Sequence, residues 1–471
     1  CFSSELRPLI KSGLVKKKIN KDSIDNYLAY GSVQGPETII ENLNLLQGGY
    51  FIRINSHGKV IEHNKYWNID FENKTIQNYS KIIDNLESNL SHVVNEHLIA
   101  DVPIGIFLSG GIDSSALAYI ASRKSTSLDT FSVTFAEEKF AEGKYAAETA
   151  KSLSINHNEL TLSSTDLKKS IKDAIYALDQ PSIDGSNVFM ISKLVRSKGI
   201  KVALSGQGGD EIFGGYSTFF DIPKANKIEK FLSYVPLILR KLMGAIWSLT
   251  IDFNRSIPSK IAQFIESKND IIKNYFLLRQ LMPYKTRRKL FPFNAQNKLG
   301  ISKKNLEIFT NKTKKIDEVD AISYLELNLY LGQTLLRDGD VMGMANGLEI
   351  RVPYLDRRIL NTIASIPSKF KLDKTRPKPL LLDAVRGGVS KKIWDKKKQG
   401  FTFPWEDWLK NDLKYLGDEA FKDESFWKAL GFNFKEVKDI WNRFNLHKKD
   451  ISWVRVWLLI VLREWYIINI Q

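Results

Sequence analysis

The chain has 471 residues, more than one ordinary domain and within the range of two or three, with 43% hydrophobic and 26% charged residues. That composition excludes a wholly disordered chain, and a lone cysteine, Cys1, excludes an internal disulfide framework and a Cys-rich zinc site. The 69 basic and 53 acidic side chains leave a net charge of +16. It is spread over short clusters such as Lys16-Lys17-Lys18 and Lys396-Lys397-Lys398, so a solvated lysine-rich surface is preferred to a nucleic-acid partner.

Along the chain, the segment FIRINSHGKVIEHNKYWNI alternates as two strands joined by a turn at His57-Gly58. From residue 78 to 100 the period changes: Ile82, Ile83, Leu86, Leu90, Val93, Val94 and Leu98 recur at helical spacing, which sets a domain boundary between Asp70 and Asn78. Short apolar runs then alternate with helical patterns. Strands are expected at 104–108, 130–135, 158–162 and 200–204, and helices at 114–123, 145–153, 167–178 and 188–197. This alternation predicts an α/β fold with a parallel sheet flanked by helices, followed beyond about residue 220 by a mostly helical part. The stretch 231–253 is apolar but carries Arg240 and Lys241, and VWLLIVL near the C-terminus is far short of the roughly 20 residues a membrane span needs. Both read as buried or amphipathic helices. The opening CFSSELRPLIKSG has no apolar signal-peptide core and no initiator Met. None of the histidines (57, 63, 92, 97, 157 and 447) shows a metal-ligand spacing such as HExxH, and a cytoplasmic compartment is expected.

Two loops carry chemistry. Ser109-Gly110-Gly111-Ile112-Asp113-Ser114-Ser115 follows an apolar strand and opens a helix. Glycines let the backbone approach a ligand, and the N–H groups of a helix start favour phosphate. No lysine follows, so this is not the GxxxxGK[ST] pattern; the loop resembles the SGGxDS pyrophosphate loop of ATP pyrophosphatases. The second loop runs Ser205-Gly206-Gln207-Gly208-Gly209-Asp210-Glu211-Ile212-Phe213-Gly214-Gly215-Tyr216 and sets two adjacent carboxylates among five glycines. Asp113 and Asp210 together suit a two-carboxylate seat for a Mg²⁺ ion that bridges phosphates.

LSGGIDSS and LSGQGGDEIFGGY, in this order, resemble the synthetase domain of glutamine-dependent asparagine synthetases. Four further segments are similar to that family's motifs: Asp179-Gln180-Pro181-Ser182-Ile183-Asp184-Gly185-Ser186, the run from Arg337 through Asp356, Lys378-Pro379-Leu380-Leu381, and Lys398-Gln399-Gly400-Phe401-Thr402-Phe403-Pro404. The resemblance runs from about residue 75 to the C-terminus and is least distinctive around 222–320. It implies an adenine-nucleotide α-hydrolase (PP-loop) type of sheet over residues 76–471. Residues 1–72 resemble the last part of a class II glutaminase domain, a small β-rich remnant. In that family the nucleophilic cysteine is followed by glycine. Cys1 is followed by Phe-Ser-Ser-Glu, similar to a strand near that domain's end, so it is not expected to be the nucleophile.

The resemblance also implies the activity. Aspartate's carboxylate takes AMP from ATP, giving a β-aspartyl-AMP intermediate and pyrophosphate. Ammonia, free or drawn from glutamine, then releases asparagine and AMP. Leu108, Ser109, Gly110, Gly111, Asp113, Ser114, Ser115, Val133, Ser205 and Gly206 are the expected nucleotide site, with Asp113 and Asp210 on Mg²⁺. Asp184 and Glu211 are expected on the substrate ammonium, and Gln207, Lys378 and Arg337 in catalysis. Each has a plainer reading: an Arg337 pair with Asp338 or Glu349, a solvated Lys378, a helix cap at Asp184, a core strand at Val133, and an Arg351–Asp356 pair. Gln207 departs from the family pattern, which often places a carboxylate there as a general base; an amide cannot take that role. The partners expected are therefore small molecules, with neither nucleic acid nor membrane, and a homodimer is admitted among the assemblies. The competing readings are an amidotransferase acting on another carboxylate, such as a surface polysaccharide sugar acid, a tRNA-modifying PP-loop ATPase, and a catalytically silent interaction protein.

Overall fold

The computed structural model describes residues 1–76, 78–124, 128–135, 143–249, 256–293, 298–395, 403–446 and 451–471. Two strands, β1 (Tyr50–Ile54) and β2 (Val60–Lys65), form the antiparallel hairpin read from the alternating segment, with Tyr50 opposite Lys65 and Ile52 opposite His63. The remaining five are β3 (Ile104–Phe107), β4 (Asp129–Phe135), β5 (Asn156–Leu162), β6 (Val202–Leu204) and β7 (Glu349–Arg351). They form one sheet in the order β5-β4-β3-β6-β7, and every neighbouring pair is parallel. Four of the five match the apolar runs. The fifth, β7, is three residues long, too short to carry an alternating pattern.

The inner strands β3, β4 and β6 are largely buried, as strands covered by helices on both faces are, whereas the edge strands β5 and β7 keep exposed residues. Helix Tyr79–His97, started by Asn78 accepting from the Lys81 N–H, buries Ile82, Leu86, Leu90, Val93 and Val94 as its spacing predicted. Helix Ile112–Ser122 follows β3, and helices Gly143–Ser152, Ser164–Ala177 and Gly185–Ser197 make the later connections. In chain order the five parallel strands lie 3-2-1-4-5, so the winding reverses between β3 and β6. At such a reversal the loops leaving the two strands diverge and open a crevice at the sheet's carboxyl edge. Both glycine-rich loops leave that edge, the first from β3 and the second from β6.

The first 70 residues hold helices Leu6–Lys11 and Lys21–Tyr30 beside the hairpin. Their apolar residues, including Leu6, Ile24, Tyr27 and Leu28, share one core with the C-terminal helices. The Tyr27 hydroxyl donates to the Leu458 carbonyl at 2.8 Å, and the buried Asp25 pairs with Arg287 at 2.9 Å. Helix Trp453–Asn469 is the buried helix expected from VWLLIVL, its apolar run from 456 to 462 being within the core. Among the described residues no helix is long and apolar enough to cross a membrane.

The other apolar stretch is not buried. Helix Leu237–Leu249 turns Arg240 and Gly244 inward and leaves most of its apolar side chains exposed. Arg240 is fully buried because its guanidinium is spoken for: it makes two 2.8 Å bonds to Glu229 and donates to the Ile265 carbonyl at 2.9 Å.

Candidate functional site

The two glycine loops line one cavity of about 650 Å³. Of the expected nucleotide residues, Leu108, Ser109, Gly111, Asp113, Ser114, Val133, Ser205 and Gly206 line it, together with Gln207, Asp210, Glu211 and Lys378. Gly110 and Ser115 are not among the lining residues; both are buried, Ser115 as the fourth residue of helix Ile112–Ser122, whose next residues enter the core.

The first loop is tied by its own serines. Ser114 Oγ accepts from the Ser109 N–H at 3.1 Å and donates to the Ser109 carbonyl at 2.8 Å. The helix Ile112–Ser122 begins at Gly111 with no side chain capping it, so its first turn presents backbone N–H groups and the positive end of its dipole toward the cavity. Tyr354 fixes the turn from below, its hydroxyl donating to the Asp113 carbonyl at 2.9 Å.

In the second loop Gly208 has φ +91°, a left-handed conformation that lets the chain double back after β6. Gly215 faces Asp210 and Lys378 so closely that a Cβ would collide with both. The glycine thus leaves open the space where three charges meet.

Those charges are Asp113, Asp210 and Lys378. The Lys378 ammonium pairs with Asp113 Oδ2 and with Asp210 Oδ1, the latter at 2.5 Å. Lys378 is 4% exposed, not a solvated helix-start lysine. Burial works against its charge, but the two carboxylates outweigh burial and hold its pKa above the ordinary lysine value. Its backbone has φ +46°, a left-handed conformation costly for a side chain with a Cβ, at the N-cap of helix Pro379–Ala384. The strain places the ammonium over the mouths of both loops.

Glu211 is 1% exposed and accepts a 2.9 Å hydrogen bond from the Tyr216 hydroxyl. Burial, reinforced by the negative charge of Asp210, pushes its pKa up to about 7. Gln207 sits beside the helix Leu336–Ala345, its side-chain amide next to Gly339, and its N–H donates to Ser205 Oγ at 3.3 Å.

Two further expected residues lie away from this cavity. Arg337 is held elsewhere, with Nε 3.4 Å from Asp338 Oδ1 and Nη1 donating to the Val33 carbonyl at 3.1 Å; its pairing with Asp338 is one of the two plainer readings. Asp184 precedes the helix Gly185–Ser197 without capping it through its side chain, and lines a second cavity of about 320 Å³ with Tyr30, Tyr330, Trp405 and Trp453 among its walls. Burial and the nearby Asp338 raise its pKa to about 7. The expected Arg351–Asp356 pair is replaced by two local ones. Arg351 pairs with Glu349 at 2.7 Å on the same face of β7, and Asp356 caps the helix Arg357–Ser365 and pairs with Arg358 at 2.8 Å. Of the Lys398–Pro404 motif, residues 398–402 lie outside the described residues.

Residues 372–377 close one wall of the cavity and were not singled out from the sequence. Lys374 and Arg376 belong to it, Arg376 held by Asp383 at 2.8 Å. The signal was present: three basic residues in five positions, Lys374, Arg376 and Lys378, stand immediately before a helix start.

Among the described residues no cluster of three His, Cys, Asp or Glu side chains can cage a metal. The donor set instead suits a magnesium ion held by one or two carboxylates that takes its other ligands from phosphate and water. Asp113 and Asp210 converge on one point, already occupied by a cationic group, and Gly215 keeps that point open.

The family model described as asparagine synthase matches residues 85–467. The chain is 26% identical over 457 residues to asparagine synthetase [glutamine-hydrolyzing] 1 of Bacillus subtilis (strain 168), covering 96% of this chain and 70% of that protein. It is 23% identical over 419 residues to asparagine synthetase [glutamine-hydrolyzing] 3 of the same organism, covering 85% and 61%. It is also 23% identical over 412 residues to amidase chyE of Penicillium rubens, covering 79% and 60%. The chain therefore spans between 60% and 70% of the length of these relatives.

Proposed function

Because the chain belongs to the asparagine synthase family, we propose that it forms an amide on aspartate at the expense of ATP, through a β-aspartyl-AMP intermediate, yielding asparagine, AMP and pyrophosphate. The observation that carries the reading is the convergence of both glycine loops, two carboxylates and Lys378 on one cavity at the reversal point of the sheet.

A carboxylate is a poor acceptor for ammonia, and adenylation gives its carbon a good leaving group. In the first step a carboxylate oxygen of aspartate bonds to the α-phosphorus, and the bond to the β-phosphate oxygen breaks. Negative charge gathers on the departing pyrophosphate. The N–H groups at the start of helix Ile112–Ser122, the Ser109 and Ser114 hydroxyls and the Lys378 ammonium are the preorganised groups that offset it. Asp113 and Asp210 would hold Mg²⁺, which when bound supplies further neutralisation of phosphate oxygens. Leu108, Val133, Ser205 and Gly206 form the nucleotide wall. Glu211, from inside the same cavity, receives the acceptor's ammonium. In the second step ammonia bonds to the acyl carbon and AMP leaves. Gln207 orients the intermediate by hydrogen bonding and takes no proton. Arg337 and Asp184 are assigned no contact with ATP or with the acceptor. Residues 1–72 are proposed as the end of a glutaminase-type unit, with glutamine as the nitrogen source in a longer protein or ammonia for this chain.

Aspartate-dependent exchange of labelled pyrophosphate into ATP tests the reading, and its absence contradicts it. One observation favours a second acceptor: Gln207 lines the cavity at a position where the family resemblance implies a carboxylate, and two similar proteins are named amidases. Exchange driven by a sugar acid in place of aspartate would establish that variant.

A further inference from the structure

The insert after the second loop inverts the usual rule of burial. Helix Leu237–Leu249 packs an arginine and a glycine inward, Arg240 against Glu229 and Gly244 against the Glu266 side chain. Outward it presents Ile238, Leu239, Leu242, Met243, Ile246 and Trp247, with Ile238 75% and Ile246 62% exposed. The helices on either side also expose apolar side chains. Helix Thr218–Leu232 adds Ile228 and Phe231, with Tyr234 just beyond its end, and helix Ser256–Ile265 adds Ile257 and Ile261. Arg240 ties the three helices together, through Glu229 of the first and the carbonyls of Phe264 and Ile265 of the third. A buried ion pair inside and an apolar face outside is a costly arrangement in water, and an apolar surface of this extent marks a covered face.

The charges along that face are mostly basic. From residue 221 to 247 the chain has five basic residues and two acidic ones. Arg240 and Glu229 neutralise each other within the protein, and Asp221 lies 3.9 Å from Lys224, which leaves Lys227, Lys230 and Lys241 as further exposed basic side chains. A predominantly basic fringe around leucine, isoleucine, tryptophan and tyrosine is complementary to an anionic, layered surface. Tryptophan and tyrosine favour the level of lipid headgroups, and lysines there meet the negative potential of acidic lipids. The overall charge of +16 acts in the same direction.

We propose that the outward face of helices Thr218–Leu232, Leu237–Leu249 and Ser256–Ile265 docks on an anionic lipid surface. The helices lie in the headgroup region and do not cross the bilayer. The absence of a spanning segment, from which no membrane partner was expected in the sequence, does not bear on this mode of attachment.

Flotation of the full chain with vesicles tests it. One set is phosphatidylcholine alone, and the other contains about 30% phosphatidylglycerol, a composition near that of acidic membranes. The protein is expected to float with the anionic vesicles and at least about tenfold less with the neutral ones, with binding weakened by salt. The triple variant Ile238→Glu, Leu242→Glu, Ile246→Glu should lose flotation while keeping its circular dichroism spectrum and pyrophosphate exchange. Lys224→Glu, Lys227→Glu, Lys230→Glu should remove the preference for anionic vesicles and provides the test if the first variant does not fold. Absence of flotation with anionic vesicles overturns the proposal. So does a dimer, measured by light scattering, that the apolar triple variant dissociates, since the face would then be covered by a second copy.

Discussion

At the carboxyl edge of the sheet, a lysine and a glutamate are almost wholly buried, and Gly215 keeps open the space beside the lysine. In the helical insert, isoleucine, leucine and tryptophan stand in water while an arginine is enclosed. Each region departs from the ordinary division of polar outside and apolar inside, and in opposite senses. Lys378 is buried because two carboxylates hold it there, at the cost of a strained backbone; the insert helix exposes its apolar face because its inner side is given over to the Arg240–Glu229 pair. A local departure from patterning that is sustained by specific compensating contacts marks a place where something else binds. At the sheet the compensating groups converge on a cavity, which suits a small charged molecule. On the insert they leave a broad face, which suits a surface.

The comparison is broken most decisively at the proposed metal and phosphate seat. Asp113→Ala is expected to lower aspartate-dependent pyrophosphate exchange by at least about 10³-fold with an unchanged circular dichroism spectrum, because it removes a charge from the step in which charge moves. Exchange at the normal rate would remove Asp113 from the mechanism. Lys378→Ala should reduce exchange by about 10²- to 10³-fold and should also lower the thermal midpoint, since Asp113 and Asp210 are then left facing each other. A variant that loses stability but not exchange would make Lys378 a structural counterion only.

On the insert, Arg240→Leu leaves Glu229 without its guanidinium and is expected to cost about 3 kcal/mol of stability, read by urea denaturation or faster proteolysis within the insert. Exchange measured below the unfolding transition should be unaffected, which separates the two regions. Loss of exchange with retained fold would couple them.

A smaller effect comes from Glu211. Its pKa is raised from the usual glutamate value to about 7, so the folded protein keeps the proton where an unfolded chain would release it. Its contribution to stability is therefore fully present below about pH 4.5 and declines as pH rises to about 7. Ammonium binding has the opposite trend, because it needs the carboxylate. KM for aspartate should fall up to about tenfold between about pH 6 and pH 8, and Glu211→Gln should flatten that profile. A pH-independent KM in the wild type would place the ammonium elsewhere. The smallest change is expected for Gln207→Glu, with nucleotide affinity by calorimetry within about twofold of wild type, since the residue is assigned to the second step.

The sheet and its loops were legible in the sequence because a buried parallel strand reads as an apolar run and a phosphate loop needs glycine and serine at fixed places. Strand β7 was not, since three residues are too few to carry a period. Lys378 was legible as a residue type at a helix start, but its double pairing brings it to Asp113, 265 positions earlier in the chain, and to Asp210 as well. Arg337 and Asp184 illustrate the converse. Their motifs read as chemistry, and the fold turns one toward Asp338 and Val33 and the other into the second cavity. The inverted helix was hidden because hydropathy reports that residues 231–247 are apolar and cannot report which side the Arg240 pair will claim.

The most direct measurement follows an oxygen atom. Aspartate labelled with ¹⁸O in its side-chain carboxylate is turned over with ATP, and the AMP is analysed by mass spectrometry. The account predicts one ¹⁸O atom in the phosphate of AMP, the trace of a bond between that carboxylate and the α-phosphorus. Unlabelled AMP formed together with asparagine, or formation of ADP and phosphate instead, would contradict it.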